Sequence, residues 1–189
     1  MRRFQINDIT FDSGFYVAVA VVLLTLPISW SVSWFLAVAF HELCHIITLA
    51  LLHKEIYSIR IGVSGATIDT EALAPIQELI SAAAGPLGGL CLVAFLYVFP
   101  QLAVCALLQT VFNLLPIYPM DGSRIIRGLC TIMVGYKRSE RICGYVEYIT
   151  FAFLFLGALL FCFIYKSILM LIFILILIMK SRQNKFPCK

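Results

Sequence analysis

Trp34-Phe35-Leu36-Ala37-Val38-Ala39-Phe40-His41-Glu42-Leu43-Cys44-His45-Ile46-Ile47-Thr48-Leu49-Ala50-Leu51-Leu52 is the stretch whose reading decides the fold. Its length and apolar character suit a bilayer-spanning helix, which takes about 20 residues. Yet its centre carries two histidines and a glutamate, where ionisable groups are expensive and so point to function. A helix advances about 100° per residue, which puts His41 and His45 one turn apart on one face. Two imidazoles so placed can grip one metal ion, with Glu42 beside them to act on an activated water. The chain has three histidines, and this pentapeptide uses two of them. In a soluble helix the short motif would read equally well as a buried polar pair.

Hydrophobic residues make up 62% of the 189-residue chain, with a mean hydropathy of +1.00. Average soluble domains are roughly 45–50% apolar. The composition therefore predicts an all-α polytopic membrane protein, read as a single domain over residues 1–189. Apolar segments fall at Phe15–Trp30, Trp34–Leu52, Leu79–Pro100, Leu102–Leu115, Tyr145–Tyr165 and Ser167–Met179. They predict about six transmembrane helices, with a core at 15–122 and C-terminal helices at 145–180. Trp30 and Trp34, together with the lack of a clear cleavage site, favour a retained first helix over a signal peptide.

With six spans and a cytoplasmic N-terminus, the basic residues sort by side. Arg2, Arg3, Lys54, Arg60, Arg124, Arg127, Lys137, Arg138, Arg141, Lys180, Arg182, Lys185 and Lys189 fall on one side, and Lys166 alone on the other. The positive-inside rule makes the rich side cytoplasmic and places both termini there. The formal net charge of +4 thus reports topology and contact with anionic lipid, not nucleic acid. Arg124 to Arg141 reads as one basic loop. The seven cysteines are scattered and form no C-x-x-C pair, so neither a disulfide framework nor a cysteine zinc knuckle is indicated, and most read as small apolar fillers. Cys44, on the flank of the motif, could approach the metal as a thiolate, but packing is the preferred reading.

Two histidines call for a third protein ligand, leaving a fourth position open for water. The candidate lies in Asn113-Leu114-Leu115-Pro116-Ile117-Tyr118-Pro119-Met120-Asp121-Gly122. Here Pro116 and Pro119 should break the fourth helix, and Gly122 should let Asp121 turn inward. Read alone, the same residues describe an ordinary helix-ending turn.

Together, His41-Glu42-Leu43-Cys44-His45 and Asn113 through Gly122 resemble the HExxH and N-x-x-P-x-x-P-x-D-G signatures of the site-2 protease family of intramembrane zinc metalloproteases. The spacing is most similar to the sporulation-type branch. That resemblance implies His41, His45 and Asp121 as ligands of one zinc ion, Glu42 as general base, and Asn113 as a substrate-contacting residue. It also implies a transmembrane or membrane-associated protein as substrate, with a separate regulatory membrane protein as a candidate gate, and a bacterial cytoplasmic membrane as the location. Many relatives of this type carry a C-terminal CBS domain, whereas here the tail stops at Ser181–Lys189, so nucleotide regulation through this chain is not expected.

Charge counting independently brings the ends of the second and fourth helices to the same face, His45 being roughly 12 Å inside the boundary at 1.5 Å per residue. Between them, Ile56–Val63 alternates in part like a strand, and Ser64-Gly65 can turn it into Ala66–Asp69. The expectation is a small β-hairpin at the cytoplasmic rim, whose edge accepts an unwound substrate; a plain connecting loop is the alternative. Gly85-Pro86-Leu87-Gly88-Gly89 reads as a packing stretch that opens the third helix, with Gly89 where the family often has Asn. The competing functional class is a non-proteolytic membrane protein that binds or moves a divalent metal, or a pseudoprotease that only holds clients. An intact Glu42 argues against both.

Overall fold

The computed structural model describes residues 8–62 and 65–166, together with Ile174, Leu175 and Ile178. The sixth apolar segment, apart from those three positions, lies outside the described residues. So do Arg2, Arg3, Lys180, Arg182, Lys185, Cys188 and Lys189, and Val63 and Ser64 of the expected turn. Along the chain run β1 (Ile9–Phe11), α1 (Ser13–Thr25), α2 (Ile28–Leu51), β2 (Ile56–Gly62), β3 (Gly65–Thr70), α3 (Pro75–Val93), α4 (Pro100–Asn113), α5 (Asp121–Val134) and α6 (Tyr136–Tyr165). Among the described residues α2, α3 and α6 are long and apolar enough to cross a membrane, while α1 is apolar but shorter.

Several boundaries differ from those the sequence predicts, and proline explains most of them. The first break falls at Leu26-Pro27, not between Trp30 and Trp34. Pro27 disfavours helix in the residue before it, and Leu26 is accordingly extended (φ −111°, ψ 146°). Both tryptophans therefore belong to α2. The third segment ends at Val93, and Pro100 starts α4, a position its missing N–H suits. Gly85–Gly89 lies in the middle of α3 rather than at its start.

The chain separates into two compact units, Met1–Asn113 and Leu114–Lys189. In the first unit, α2, α3 and α4 pack against one another. The buried residues of α2 are Ser31, Ala37, His41, His45 and Leu49. From Ala37 onward they step by four, which keeps them on one face. Val32, Leu36, Phe40, Leu43, Ile47 and Leu51 are exposed on the other. Polar groups face inward and large apolar ones outward, the pattern a lipid-facing helix requires.

The foot of α2 rests on a three-stranded sheet of order β1-β2-β3. Leu49, Ile56 and Ile59 form its core, with Ile46, Ile61, Ala66, Ile68 and Leu73 around them. The predicted hairpin is present: β2 and β3 are antiparallel, with Ile61 opposite Ala66 and Gly62 opposite Gly65. Gly65 has φ +99°, a conformation glycine adopts at little cost. Strand β1, unforeseen in the sequence, adds parallel to β2, and among the described residues β3 is left as an edge.

In the second unit α5 and α6 pack together. The segment Arg124–Arg141 is not a loop but two helices separated at Gly135, whose φ of +80° stops α5. Ser139 ties them, accepting from Thr131 Oγ1 (3.0 Å) and donating to the Arg127 carbonyl (3.2 Å). Gly122 does not turn the chain through unusual backbone angles. It stands in the first turn of α5, and a side chain there would strike the carbonyl oxygens of Leu114 and Leu115. The demand on that residue is for space.

Candidate metal centre and catalytic residues

His41 and His45 are buried, 2% and 4% exposed, on the inward stripe of α2. Their Nε2 atoms lie 3.2 Å apart, and the rings meet edge to face at 75°. The Nδ1 atom of His45 is 2.7 Å from the Ser81 carbonyl oxygen on α3. A carbonyl only accepts, so Nδ1 carries the hydrogen and Nε2 of the neutral ring presents its lone pair. The Asn113 amide nitrogen, at the end of α4, reaches to 3.5 Å from His41 Nε2. Nitrogens bound tetrahedrally to zinc at about 2.0–2.1 Å stand about 3.3 Å apart. The observed pair fits that spacing, and the Ser81 carbonyl sets the tautomer of His45 for ligation.

This approach depends on Gly85, which the sequence marks only as packing. A Cβ there would collide with Nε2 of His45 and lie 2.6 Å from Nε2 of His41. The small residues of α3 thus do more than bring helices together, because Gly85 leaves room for the site itself. Gly88 gives similar room to the Cys44 sulfur, which packs against it. Gly89 abuts the Thr110 hydroxyl. The Ser81 carbonyl is the other contributor that motif reading misses, since backbone acceptors carry no residue signature.

Glu42 points away from the α2–α3 contact toward the hairpin, where its Oε1 accepts the Ala66 N–H (3.1 Å). Gly65 again supplies the space, since a Cβ there would lie 2.8 Å from Glu42 Oε1. A cavity of about 580 Å³ begins at Glu42 and Asn113 and is walled by apolar residues of α1, α2 and β2, among them Val22, Trp34, Phe35 and Ile61. Such an apolar pocket with a few convergent polar groups is the usual form of a binding site. Within the first unit the fold therefore gathers four of the residues singled out from sequence: His41, Glu42, His45 and Asn113. Asp121 stands in the second unit, buried at the first position of α5, with the Arg124 guanidinium 3.8 Å from its carboxylate. His53, the remaining histidine, sits in the turn after α2 with φ +54°.

Comparison with known proteins shows a partial family likeness and a shared fold. Residues 77–157 match the sequence profile of Peptidase family M50. The zinc metalloprotease MJ0392 of Methanocaldococcus jannaschii is 28% identical over 153 residues, covering 72% of this chain and 45% of that one. The chain thus spans about half the length of that curated relative. A solved site-2 protease from Methanocaldococcus jannaschii superposes with a TM-score of 0.72 at 23% identity, covering 100% of this chain and 96% of the other. Residues 77–157 thus resemble the M50 peptidases, and the chain shares the fold of the site-2 protease, with three helices among the described residues long and apolar enough to cross a membrane.

Proposed function

We propose that this protein is an intramembrane zinc metalloendopeptidase, cutting a membrane-embedded or membrane-proximal peptide bond of a regulatory protein. The carrying observation is the convergent imidazole pair, 3.2 Å between Nε2 atoms, beside a glutamate that opens on an apolar cavity. His41 and His45 supply two ligands and Asp121 the third. Two nitrogens and a carboxylate suit zinc and leave a position open. Asp121 is supported by its burial, its place in the Asn113–Gly122 signature and its carboxylate chemistry.

Bound zinc would supply a Lewis acid that acidifies water and polarises a peptide carbonyl. Glu42 takes the proton from the attacking water and passes it to the leaving amine. Asn113 donates its amide hydrogen to the reacting oxygen or to a substrate carbonyl. The cavity walls exclude bulk water and receive apolar substrate side chains. A spanning helix must first unwind, because its carbonyls are already hydrogen-bonded, and the β3 edge offers the extended segment new partners.

The substrate is a single-span regulator, a membrane-tethered transcription-factor precursor or a remnant signal peptide. A sporulation regulator would place the chain in the sporulation-type branch. The remaining expectations are six spans, cytoplasmic termini, a bacterial membrane and gating by a separate membrane protein. Sorting of the basic residues supports the orientation.

The test is Glu42→Gln in purified, zinc-loaded protein with a candidate client in liposomes. Cleavage should fall about 10²–10⁴-fold, the usual contribution of a general base, while zinc content stays unchanged. Cleavage at the wild-type rate would overturn the mechanism. Zinc flux across the liposome that survives the substitution would favour a transporter instead.

A further inference from the structure

Asp12 N–H donates to the Ile61 carbonyl (2.9 Å), and Ile59 N–H donates to the Asp8 carbonyl (3.0 Å). Ile59 and Ile61 therefore direct their backbone polar groups toward β1. In an antiparallel ladder, hydrogen-bonded and non-hydrogen-bonded pairs alternate. The pairs Ile59–Ile68 and Ile61–Ala66 are thus of the non-bonded kind, and Ala66 and Ile68 turn their N–H and C=O groups outward from β3. The outward N–H of Ala66 is the one that Glu42 occupies. The proposed general base therefore sits on a hydrogen-bond donor that an added strand would use.

We infer that Ala66 N–H is a shared donor: it holds Glu42 while no substrate is bound, and it passes to a carbonyl of the incoming extended segment. This inference rests on the peptidase reading and adds a register and a trigger to it. The bond to Ala66 fixes which substrate residue lies against Glu42. Its transfer frees the carboxylate only when a strand is in place. Gly65 makes the arrangement feasible, since its φ of +99° and missing Cβ let the strand start beside the carboxylate. The apolar cavity at the same position, with Gly65, Ala66 and Glu42 in its lining, accepts a side chain of the added strand. The class of ligand is an extended apolar peptide recognised through its backbone.

The test uses full-length, zinc-loaded protein in detergent and a fluorescent apolar peptide of ten residues. Alternate amides of the peptide are N-methylated, so that it resists hydrolysis and can pair along one edge only. Affinity is read by anisotropy. Glu42→Ala removes the competitor for the Ala66 donor and should tighten binding about tenfold, the worth of one charge-assisted hydrogen bond. Replacing Ala66 by lactate, which turns the N–H into an ester oxygen without altering the side chain, should weaken binding and abolish the gain from Glu42→Ala. A proline at Ile68, the next outward donor, should weaken binding while leaving that gain intact. Equal affinity in wild type and Glu42→Ala, or a gain that survives the ester, would overturn the shared donor. Wild-type protein that binds no zinc but shows the full coupling would overturn the peptidase reading and support the strand edge.

Discussion

Helix α2 makes two contacts along one stripe of residues, and they are built in opposite ways. At its middle, His41 and His45 face Gly85 of α3, where the absence of a side chain lets two imidazoles converge. Two turns on, Leu49 packs among Ile56 and Ile59 of the sheet in an ordinary aliphatic core. The first contact leaves space for two polar rings; the second fills space with aliphatic side chains. The difference teaches that burial alone does not mark a site, because His41, His45 and Leu49 are all nearly inaccessible. What differs is the partner's side chain.

Gly85→Val is the sharpest way to break the comparison. Its added carbons enter the gap between the Nε2 atoms, so zinc per chain should drop to near zero and cleavage by at least about 10²-fold, as for loss of a major catalytic element. Metal analysis of the folded fraction decides it; a variant with full zinc would show that the glycine is mere packing. Ile56→Ala strikes the other contact. It should cost about 2–5 kcal/mol of stability, the range for emptying a buried aliphatic site, while folded protein keeps its zinc. Denaturant midpoints and metal content together test that separation, and zinc loss from a folded Ile56→Ala protein would erase it.

Asn113→Ala should have an intermediate effect. Losing one donor near His41 is worth about 1–1.5 kcal/mol, so cleavage should fall roughly tenfold with zinc retained. Single-turnover rates would reveal it, and an unchanged rate would remove Asn113 from the site. The smallest effect belongs to Ser81→Ala. The Ser81 hydroxyl is buried without a hydrogen-bond partner, whereas its carbonyl holds His45. Because substitution keeps the carbonyl, stability should change by less than about 1 kcal/mol and zinc affinity not at all. A large drop in affinity would mean that the side chain, not the backbone, orients the ring.

The sequence alone carried the apolar surroundings, the helical class and the candidate chemical groups. Apolar runs of bilayer length allow few structures, and an idle Glu and two His in such a run would be costly, so HExxH could be read with little context. The hairpin was legible from the alternation of Ile56–Gly62 and the glycine at 65. Helix boundaries were less so: apolar residues continue across Pro27, and composition does not register one missing N–H. The basic stretch Arg124–Arg141 reads as a loop because it lies between two apolar segments, although it is helical on both sides of Gly135.

Tertiary structure decided what no pattern encodes. It made Gly85 a condition for the histidine pair, enlisted the Ser81 carbonyl to set a tautomer, and tied Glu42 to the backbone of β3. Each of these works through an absent side chain or through a peptide group common to every residue. Residue identity fixes which atoms can do chemistry, but only the fold brings a missing Cβ and an unremarkable N–H or C=O to the right place.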